Sequence, residues 1–145
     1  MTRPHIPQAL RDKVAAQAGH RCGYCLTPQA FTAMPMHVEH IIPQAAGGPS
    51  IEENLWLACP ICNSHKGAQT AGMDTLSGEQ LPLFDPRHQV WGEHFRWSDD
   101  GTLISGQTAC GRATVVALKL NNEHLVRARR RWVLAGWHPP GEAEG

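Results

Sequence analysis

Two C-x-x-C pairs, Cys22 with Cys25 and Cys59 with Cys62, constrain the fold of this chain more than any other feature. Each pair offers two thiolates from one turn, and two such turns complete the tetrahedral shell that zinc prefers. The N-terminal segment MTRPHIPQALRDKV has no apolar core, so we expect no secretory signal and a cytoplasmic protein. In that compartment paired C-x-x-C motifs favour metal over disulfides.

A zinc ion held by four thiolates has no open coordination position, so the predicted site is structural and not catalytic. Its binding free energy would act as folding free energy for a small core. The alternatives are reduced thiols buried as small hydrophobic side chains, or a redox pair. The fifth cysteine, Cys110, lies far from both pairs in the sequence and is predicted to be a core thiol.

The charge of the chain limits how it attracts a partner. Its 145 residues contain 13 Lys+Arg and 13 Asp+Glu, which gives a formal net charge of zero. Any attraction to nucleic acid must therefore come from a local patch. No run approaches the roughly 20 apolar residues that a membrane span needs, so we expect no membrane partner. The oligomeric state is left open.

The first half of the chain shows a regular order of predicted elements. Apolar spacing predicts a helix over 8–18, within an N-terminal region 1–19. Strands are predicted over 36–42 and 54–58, separated by a loop that contains two glycines and a proline. Pro60 suits the first turn of a helix that ends at Lys66, with Gly67 as its stop.

The second half of the chain gives weaker signals. Residues 68–82 are rich in Gly, Thr and Ser and are predicted to be a connector. The segments HFRW and TLISGQT flank SDDG and predict a hairpin. Thr114 is predicted to cap a helix over 115–120, and Asn121 a longer helix to about Leu134. Residues 139–145 are predicted to be a frayed tail.

Polar residues concentrate between and just after the cysteine pairs, where a structural zinc site has no need of them. A carboxylate and an amide oxygen are suitable ligands for Mg²⁺. A neutral histidine can take a proton from water near pH 7. The alternative for the histidine is a purely structural side chain with satisfied hydrogen bonds. The residues concerned are Glu39, His40, Asn54, Asn63 and Lys66.

These residues bring out a family resemblance. The ordered elements C22-x2-C25, VEHIIP (38–43), GG (47–48), ENL (53–55) and C59-x2-C62-N63-x2-K66-G67 resemble the HNH endonucleases. The resemblance implies an α+β fold with a ββα-metal finger over 20–67, held by a structural four-cysteine zinc. It leaves residues 68–138 as a small hairpin-plus-helix extension packed on the finger. The segments HFRW, GRATV, LN and AR also resemble the C-terminal part of small stand-alone bacterial HNH proteins.

The resemblance also implies a role for each site residue. His40 would be the general base that activates water, and Asn54 would hold the loop and orient His40 through a backbone hydrogen bond. Glu39 and Asn63 would ligate a catalytic cation, Mg²⁺ or another divalent ion. Lys66 would contact a phosphate. Glu39 stands where the family usually has Asp and is one methylene longer, so the cation must shift or the carboxylate must fold back.

The implied reaction is one-metal hydrolysis of DNA phosphodiester bonds, and RNA is left open as a substrate. On the last predicted helix Arg127, Arg130 and Arg131 occupy one arc, which is either a DNA-contacting face or a solvated one. Arg129 falls in the opposite, apolar arc, so it must extend to solvent or find an acidic partner. Two other functions compete with the nuclease: a catalytically silent zinc module that binds nucleic acid, and a zinc-stabilised protein-interaction module.

Overall fold

The computed structural model describes residues 5–141 and has the predicted α+β composition. The chain divides into two compact units that alternate along the sequence. The first comprises Met1–Thr70 and Asp85–His88, and the second comprises Ala71–Phe84 and Gln89–Gly145. The packing of residues 68–138 on the finger stays a prediction.

The first unit follows the predicted order of elements. It contains helix α1 (Gln8–Gln17), strand β1 (His37–His40), strand β2 (Leu55–Ala58) and helix α2 (Pro60–Lys66). The two strands are antiparallel, and His40 is paired with Leu55 where the connecting loop leaves the sheet. Both strands are shorter than predicted: β1 ends before residues 41 and 42, which form a bend, and Asn54 belongs to a turn of 3-10 helix over 52–54.

The hydrophobic core of the first unit is small. Ile6, Val14 and Leu55 are buried together, with Leu10 and Val38 packed against them. Side chains at positions 10 and 14 share one face of α1, as helical periodicity requires. This cluster fixes α1 against the two strands. So few apolar side chains make a weak independent core, and this unit therefore depends on an additional crosslink.

The second unit is built from short hairpins and helices. Its longest helix has 12 residues, and no helix within residues 5–141 is long and apolar enough to cross a membrane. The predicted hairpin is confirmed, with Phe95 paired to Gly106. The elements of this unit are β3 (Ala71–Met73), β4 (Gln80–Pro82), α3 (Trp91–His94), β5 (Phe95–Trp97), β6 (Ile104–Gly106), α4 (Ala109–Ala117) and α5 (Glu123–Leu134).

The predicted connector over 68–82 is wrong, because this segment forms the β3–β4 hairpin. Its turn is organised by Asp74, which accepts hydrogen bonds from the backbone and hydroxyl of Ser77. The buried Asp74 carboxylate also pairs with Arg112 at 2.8 Å, and this pairing lowers the pKa of Asp74. The partner lies 38 residues away, so the sequence near the hairpin does not reveal it.

The predicted cap at Thr114 is also wrong. Helix α4 begins after Thr108, whose hydroxyl accepts a hydrogen bond from the Gly111 amide at 3.0 Å. Thr114 lies inside the helix, where its hydroxyl donates to the Cys110 carbonyl and accepts from the Phe84 amide. Threonine inside a helix commonly bonds back to the preceding turn.

The predicted cap of α5 is displaced by one residue. Asn122 caps the helix by accepting from the Leu125 amide at 3.1 Å. Asn121 instead exchanges two 2.8 Å hydrogen bonds with the backbone of Ile104. Both asparagines satisfy the local rule for a cap, and a tertiary contact decides between them.

Arg129 does not extend to solvent, which was one of the two solutions predicted for a charged residue in an apolar arc. Its side chain is fully buried, and its guanidinium donates to the carbonyls of Thr102 and Leu120 at 3.0 and 2.7 Å. The guanidinium also lies over the ring of Trp97. Backbone carbonyls of neighbouring elements thus accept hydrogen bonds from a guanidinium that is removed from solvent.

Part of the predicted frayed tail can be compared with the structure. Residues 139–141 form no helix or strand, and residues 142–145 lie outside the described residues. The preceding His138 is buried, and its ring Nε2 lies 3.0 Å from the Gly101 carbonyl oxygen. The chain is therefore anchored at least to His138.

Candidate active site

The four paired cysteines meet in one buried cluster. Their Sγ atoms all lie within 4.8 Å of one another, and those of Cys25 and Cys59 are 3.7 Å apart. Zinc with four thiolates at about 2.3 Å places its sulfurs about 3.8 Å apart. The cluster therefore fits a tetrahedral zinc ion with no position left for substrate. We call it the four-cysteine cluster.

A tight turn presents the first pair. The Cys22 amide donates to the Thr27 carbonyl, and the Leu26 amide donates to the Cys22 carbonyl, so the chain doubles back between the two thiols. Gly23 lies between the two thiols, where neighbouring side chains leave no room for a Cβ atom. A Cβ atom there would collide with the Trp56 ring and would lie 2.7 Å from Cβ of Pro86.

The beginning of α2 presents the second pair. Cys59 occupies the N-cap position, and its Sγ accepts a hydrogen bond from the Cys62 amide at 3.3 Å. Pro60 stands at the first helical position, as predicted, where its missing N–H costs nothing. Gly67 ends the helix with φ of 51°. The helix that orients two thiolates therefore also fixes Asn63.

A cleft of about 370 Å³ lies beside the cluster, between α1, β1 and α2. Three predicted site residues line it together, namely Glu39, His40 and Asn63. His37, the first residue of β1, lines the same cleft. The structure thus brings the predicted base and both predicted cation ligands to one cavity, although they lie up to 24 positions apart in the sequence.

His40 is half-buried at the end of β1. Its ring Nε2 lies 2.8 Å from the hydroxyl oxygen of Ser50. Burial and the nearby positive charge of Lys66 lower the pKa of His40 below its ordinary 6.5. The imidazole is therefore neutral at pH 7, which is the form that accepts a proton. Sequence reasoning missed Ser50, because no sequence signal shows that this loop folds back onto the strand.

Asn54 holds that loop in place. Its Oδ1 accepts from the Ile42 amide at 2.8 Å, and its Nδ2 donates to the carbonyls of Ile42 and Pro49 at 3.0 and 2.9 Å. The predicted backbone hydrogen bond from Asn54 to His40 is not among its contacts. Asn54 instead fixes the Pro49 carbonyl, next to the Ser50 hydroxyl that contacts His40. It is a positioning residue that acts through the loop.

Glu39 and Lys66 form a buried ion pair behind the cleft. The Lys66 ammonium lies 3.5 Å from Oε2 of Glu39 and donates to the His40 carbonyl at 3.1 Å. The hydroxyl of Tyr24, between the first two cysteines, donates to Oε1 of Glu39. Burial raises the pKa of Glu39, and the charge of Lys66 opposes that rise.

The side chain of Lys66 is only 2% exposed. The phosphate contact predicted for it is therefore not supported, because its ammonium is turned inward to the Glu39 carboxylate and the His40 carbonyl. Asn63 lines the cleft, whereas Lys66, one turn later on the same face of α2, is held by its contacts to the His40 carbonyl and the Glu39 carboxylate of β1. From the sequence alone, a lysine in the last helical turn is expected to be solvated.

Residues 22–69 match the family model for HNH endonuclease. This segment is an HNH domain. The match begins at the first ligand of the four-cysteine cluster and includes every site residue predicted from the sequence except the three arginines of α5. No curated protein and no solved structure matches the chain.

The donor atoms in the HNH domain suit a hard divalent cation. Glu39 offers carboxylate oxygens and Asn63 an amide oxygen, and both side chains line the cleft. The charge of Glu39, however, is already balanced by Lys66 at 3.5 Å. These ligands therefore present no net negative charge to a cation, and we expect the phosphate of a substrate to contribute to holding it.

Replacing Lys66 by methionine is expected to destabilise the HNH domain by about 3–5 kcal/mol, because the buried Glu39 carboxylate loses its counter-charge. The double variant Lys66→Met with Glu39→Gln should recover most of this loss, since an amide needs no counter-charge and still accepts from Tyr24. Hydrogen exchange of the Ala18 amide in the zinc-loaded protein measures the free energy of unfolding of the single and of the double variant. Equal losses in the single and double variants would show that the pair is not coupled.

Replacing Asn54 by alanine is expected to open the 41–50 loop without unfolding α1. The Ile42 amide loses its acceptor, and a lost buried hydrogen bond costs about 1–3 kcal/mol. We expect the Ile42 amide to exchange about tenfold to a hundredfold faster. The Leu118 amide of the second unit, bonded to the Thr114 carbonyl at 3.0 Å, serves as the reference and should not change. Unaltered exchange at Ile42 would contradict this role.

The three arginines predicted to contact DNA lie outside the HNH domain. Arg127, Arg130 and Arg131 are exposed on α5 of the second unit, as the helical arc predicted. Their exposure agrees equally with a solvated face, so their contact with DNA stays a prediction.

Proposed function

We propose that the HNH domain hydrolyses phosphodiester bonds of DNA, with His40 as the general base. The observation that supports this most is the place of His40, a neutral imidazole at the wall of a cleft shared with Glu39 and Asn63. A histidine with a purely structural role would not need the oxygen donors of Glu39 and Asn63 in the same cleft. The match to the HNH endonucleases supports a nuclease independently.

In the proposed reaction the contact with Ser50 determines which nitrogen of the His40 imidazole carries the hydrogen and which accepts a proton. With the ring hydrogen on Nε2, His40 donates to the Ser50 hydroxyl, and Nδ1 is left to accept a proton from water. The hydroxide so formed attacks phosphorus in line with the 3′ oxygen, whose bond to phosphorus breaks to leave a 5′-phosphate. The departing 3′ oxygen takes a proton from solvent to become a 3′-hydroxyl, and His40 then releases its own proton to solvent. Asn54 contributes by holding the loop that contains Ser50.

Glu39 and Asn63 would hold the divalent cation. When bound, such a cation stabilises the negative charge that develops on the phosphate. The zinc ion of the four-cysteine cluster has a separate task, because its four thiolates leave no position for a phosphate oxygen. We therefore expect two metals with different roles, zinc for folding and Mg²⁺ or a similar cation for the reaction.

The test is cleavage of supercoiled plasmid by the zinc-loaded protein with Mg²⁺, Mn²⁺ or EDTA. Nicking that requires the added cation and leaves 5′-phosphate ends is the expected result. A folded, zinc-loaded protein that cleaves neither duplex nor single-stranded DNA under any cation would overturn the proposal. Cleavage of an RNA of the same sequence in parallel establishes the preferred nucleic acid.

A catalytically silent zinc module is the competing function. It requires no second metal, so Mn²⁺ should leave its fluorescence and stability unchanged in the presence of DNA. The Glu39–Lys66 ion pair is the one observation that favours it, because a carboxylate with a counter-charge is a weaker cation ligand than a free one.

A further inference from the structure

The burial of Lys66 leaves the cleft without the phosphate-binding cation that the sequence predicted. Two of the side chains that line the cleft carry a formal charge, Glu39 and Arg11. Lys66 balances Glu39 from behind. Among the described residues, Arg11 is therefore the cleft cation whose charge is not already balanced by a carboxylate.

Arg11 comes from α1, outside the segment that matches the HNH family. Its Nε donates to the carbonyl of the buried Ile6 at 3.1 Å, so the side chain is held back along the start of the helix. Within residues 5–141, this is its one side-chain hydrogen bond, and the outer guanidinium nitrogens keep their donors for another acceptor. The side chain is half-buried, and its hydrogen bond is to the backbone of Ile6, a member of the buried apolar cluster.

Arg11 also lines a second cleft that adjoins the first. This second cleft of about 190 Å³, toward His20 and Gln29, shares Arg11 and Val38 with the first. Arg11 thus stands where the two clefts meet. Because Arg11 and His40 line the same cleft, a strand whose scissile phosphate lies near His40 can present a neighbouring phosphate to Arg11.

We propose that Arg11 binds a backbone phosphate adjacent to the scissile one, so that α1 is part of the DNA-binding site. The proposal rests on the proposed nuclease function and adds a contact from outside the HNH domain. A guanidinium with one nitrogen fixed and the others available suits a phosphate, because it offers planar, charge-assisted donors with little conformational freedom left to lose. Its class of ligand is a phosphodiester, and it reads no base.

Lys13 provides a matched control on the same helix. It carries the same charge two residues away, is 60% exposed, and pairs with Glu52 at 2.6 Å without lining either cleft. Lys13→Ala therefore removes one positive charge from α1 but no cleft contact. Arg11→Lys is the conservative variant, which keeps the charge and loses the planar donor geometry.

The experiment measures binding of a short fluorescent DNA duplex by anisotropy across a salt series, in the zinc-loaded His40→Ala background without added divalent cation so that nothing is cut. Arg11→Ala should weaken binding about tenfold, as expected for one charge-assisted hydrogen bond to phosphate. It should also lower the slope of log K against log salt by about 1. Arg11→Lys should keep the slope, and Lys13→Ala should weaken binding less than about twofold.

Equal losses in Arg11→Ala and Lys13→Ala would overturn the proposal, because the effect would then be one of general charge. Unchanged binding in Arg11→Ala would overturn it while leaving the nuclease intact, since the parent protein still binds DNA. No binding by the parent would overturn the nuclease together with this contact. Circular dichroism and zinc content exclude misfolding, and Arg11→Lys provides a second folded variant.

Discussion

The Cys62→Ser variant should lose its zinc and unfold the first unit, while the second unit stays folded. A structural zinc in a small domain contributes on the order of 10 kcal/mol at neutral pH, as large as the whole stability of many domains. The buried apolar cluster around α1 contains Ile6, Val14 and Leu55 with two partly buried neighbours, and few further apolar side chains of this unit are buried. That core cannot replace the lost metal. Zinc content and amide hydrogen exchange, resolved by residue, measure the result.

Cys110→Ser is the matched control for that experiment. Cys110 is half-buried in the second unit and lies outside the four-cysteine cluster, so its variant should bind zinc in the same ratio as the parent. Native protection of α1 and β2 amides in zinc-free Cys62→Ser would contradict the prediction. The cysteines would then be buried thiols that pack without a metal.

The His40→Ala variant is expected to lower the rate of DNA cleavage by about a hundredfold to ten-thousandfold, the usual contribution of a general base. The effect should fall on the rate at saturating DNA and leave the affinity for DNA nearly unchanged, because His40 acts on water and not on a resting phosphate. Single-turnover cleavage of a labelled duplex, with the protein in excess, measures this rate.

Two controls separate the loss of a general base in His40→Ala from misfolding and from the loss of any histidine. The zinc content of the variant must match the parent, since a misfolded domain would also lose activity. His88→Ala removes another histidine of the first unit that is exposed and paired with Asp85, and it should cleave at the parental rate. Undiminished cleavage by pure His40→Ala would show that another group is the general base, and the proposed mechanism would then be wrong.

Local signals in the sequence were sufficient for much of the first unit. Apolar periodicity located α1, and Pro60 with Gly67 located both ends of α2. The cysteine spacing placed four thiols in one cluster, because metal geometry imposes a distance between turns that lie far apart in the chain. The family resemblance placed Glu39, His40 and Asn63 at one cleft. Their catalytic roles stay predictions.

The errors came where a tertiary contact decided between local alternatives. Arg112 organises the turn at Asp74 and turns an expected connector into a hairpin. Asn122, and not Asn121, caps α5, because the side chain of Asn121 is hydrogen-bonded to the backbone of Ile104 in β6. Lys66 turns away from the cleft for the same reason, since burial beside Glu39 is a property of the packed helix and not of its sequence.

Residues 85–88 belong to the first unit, and this matters for any transfer of the HNH domain into another chain. Arg87 donates twice to the Leu55 carbonyl and lies over the Trp56 ring, while Pro86 packs where Gly23 leaves room. A gene fragment that ends with the family match would leave out all of these contacts. A transplantable HNH module must therefore retain Asp85–His88, with the β3–β4 hairpin kept or replaced by a short bridge.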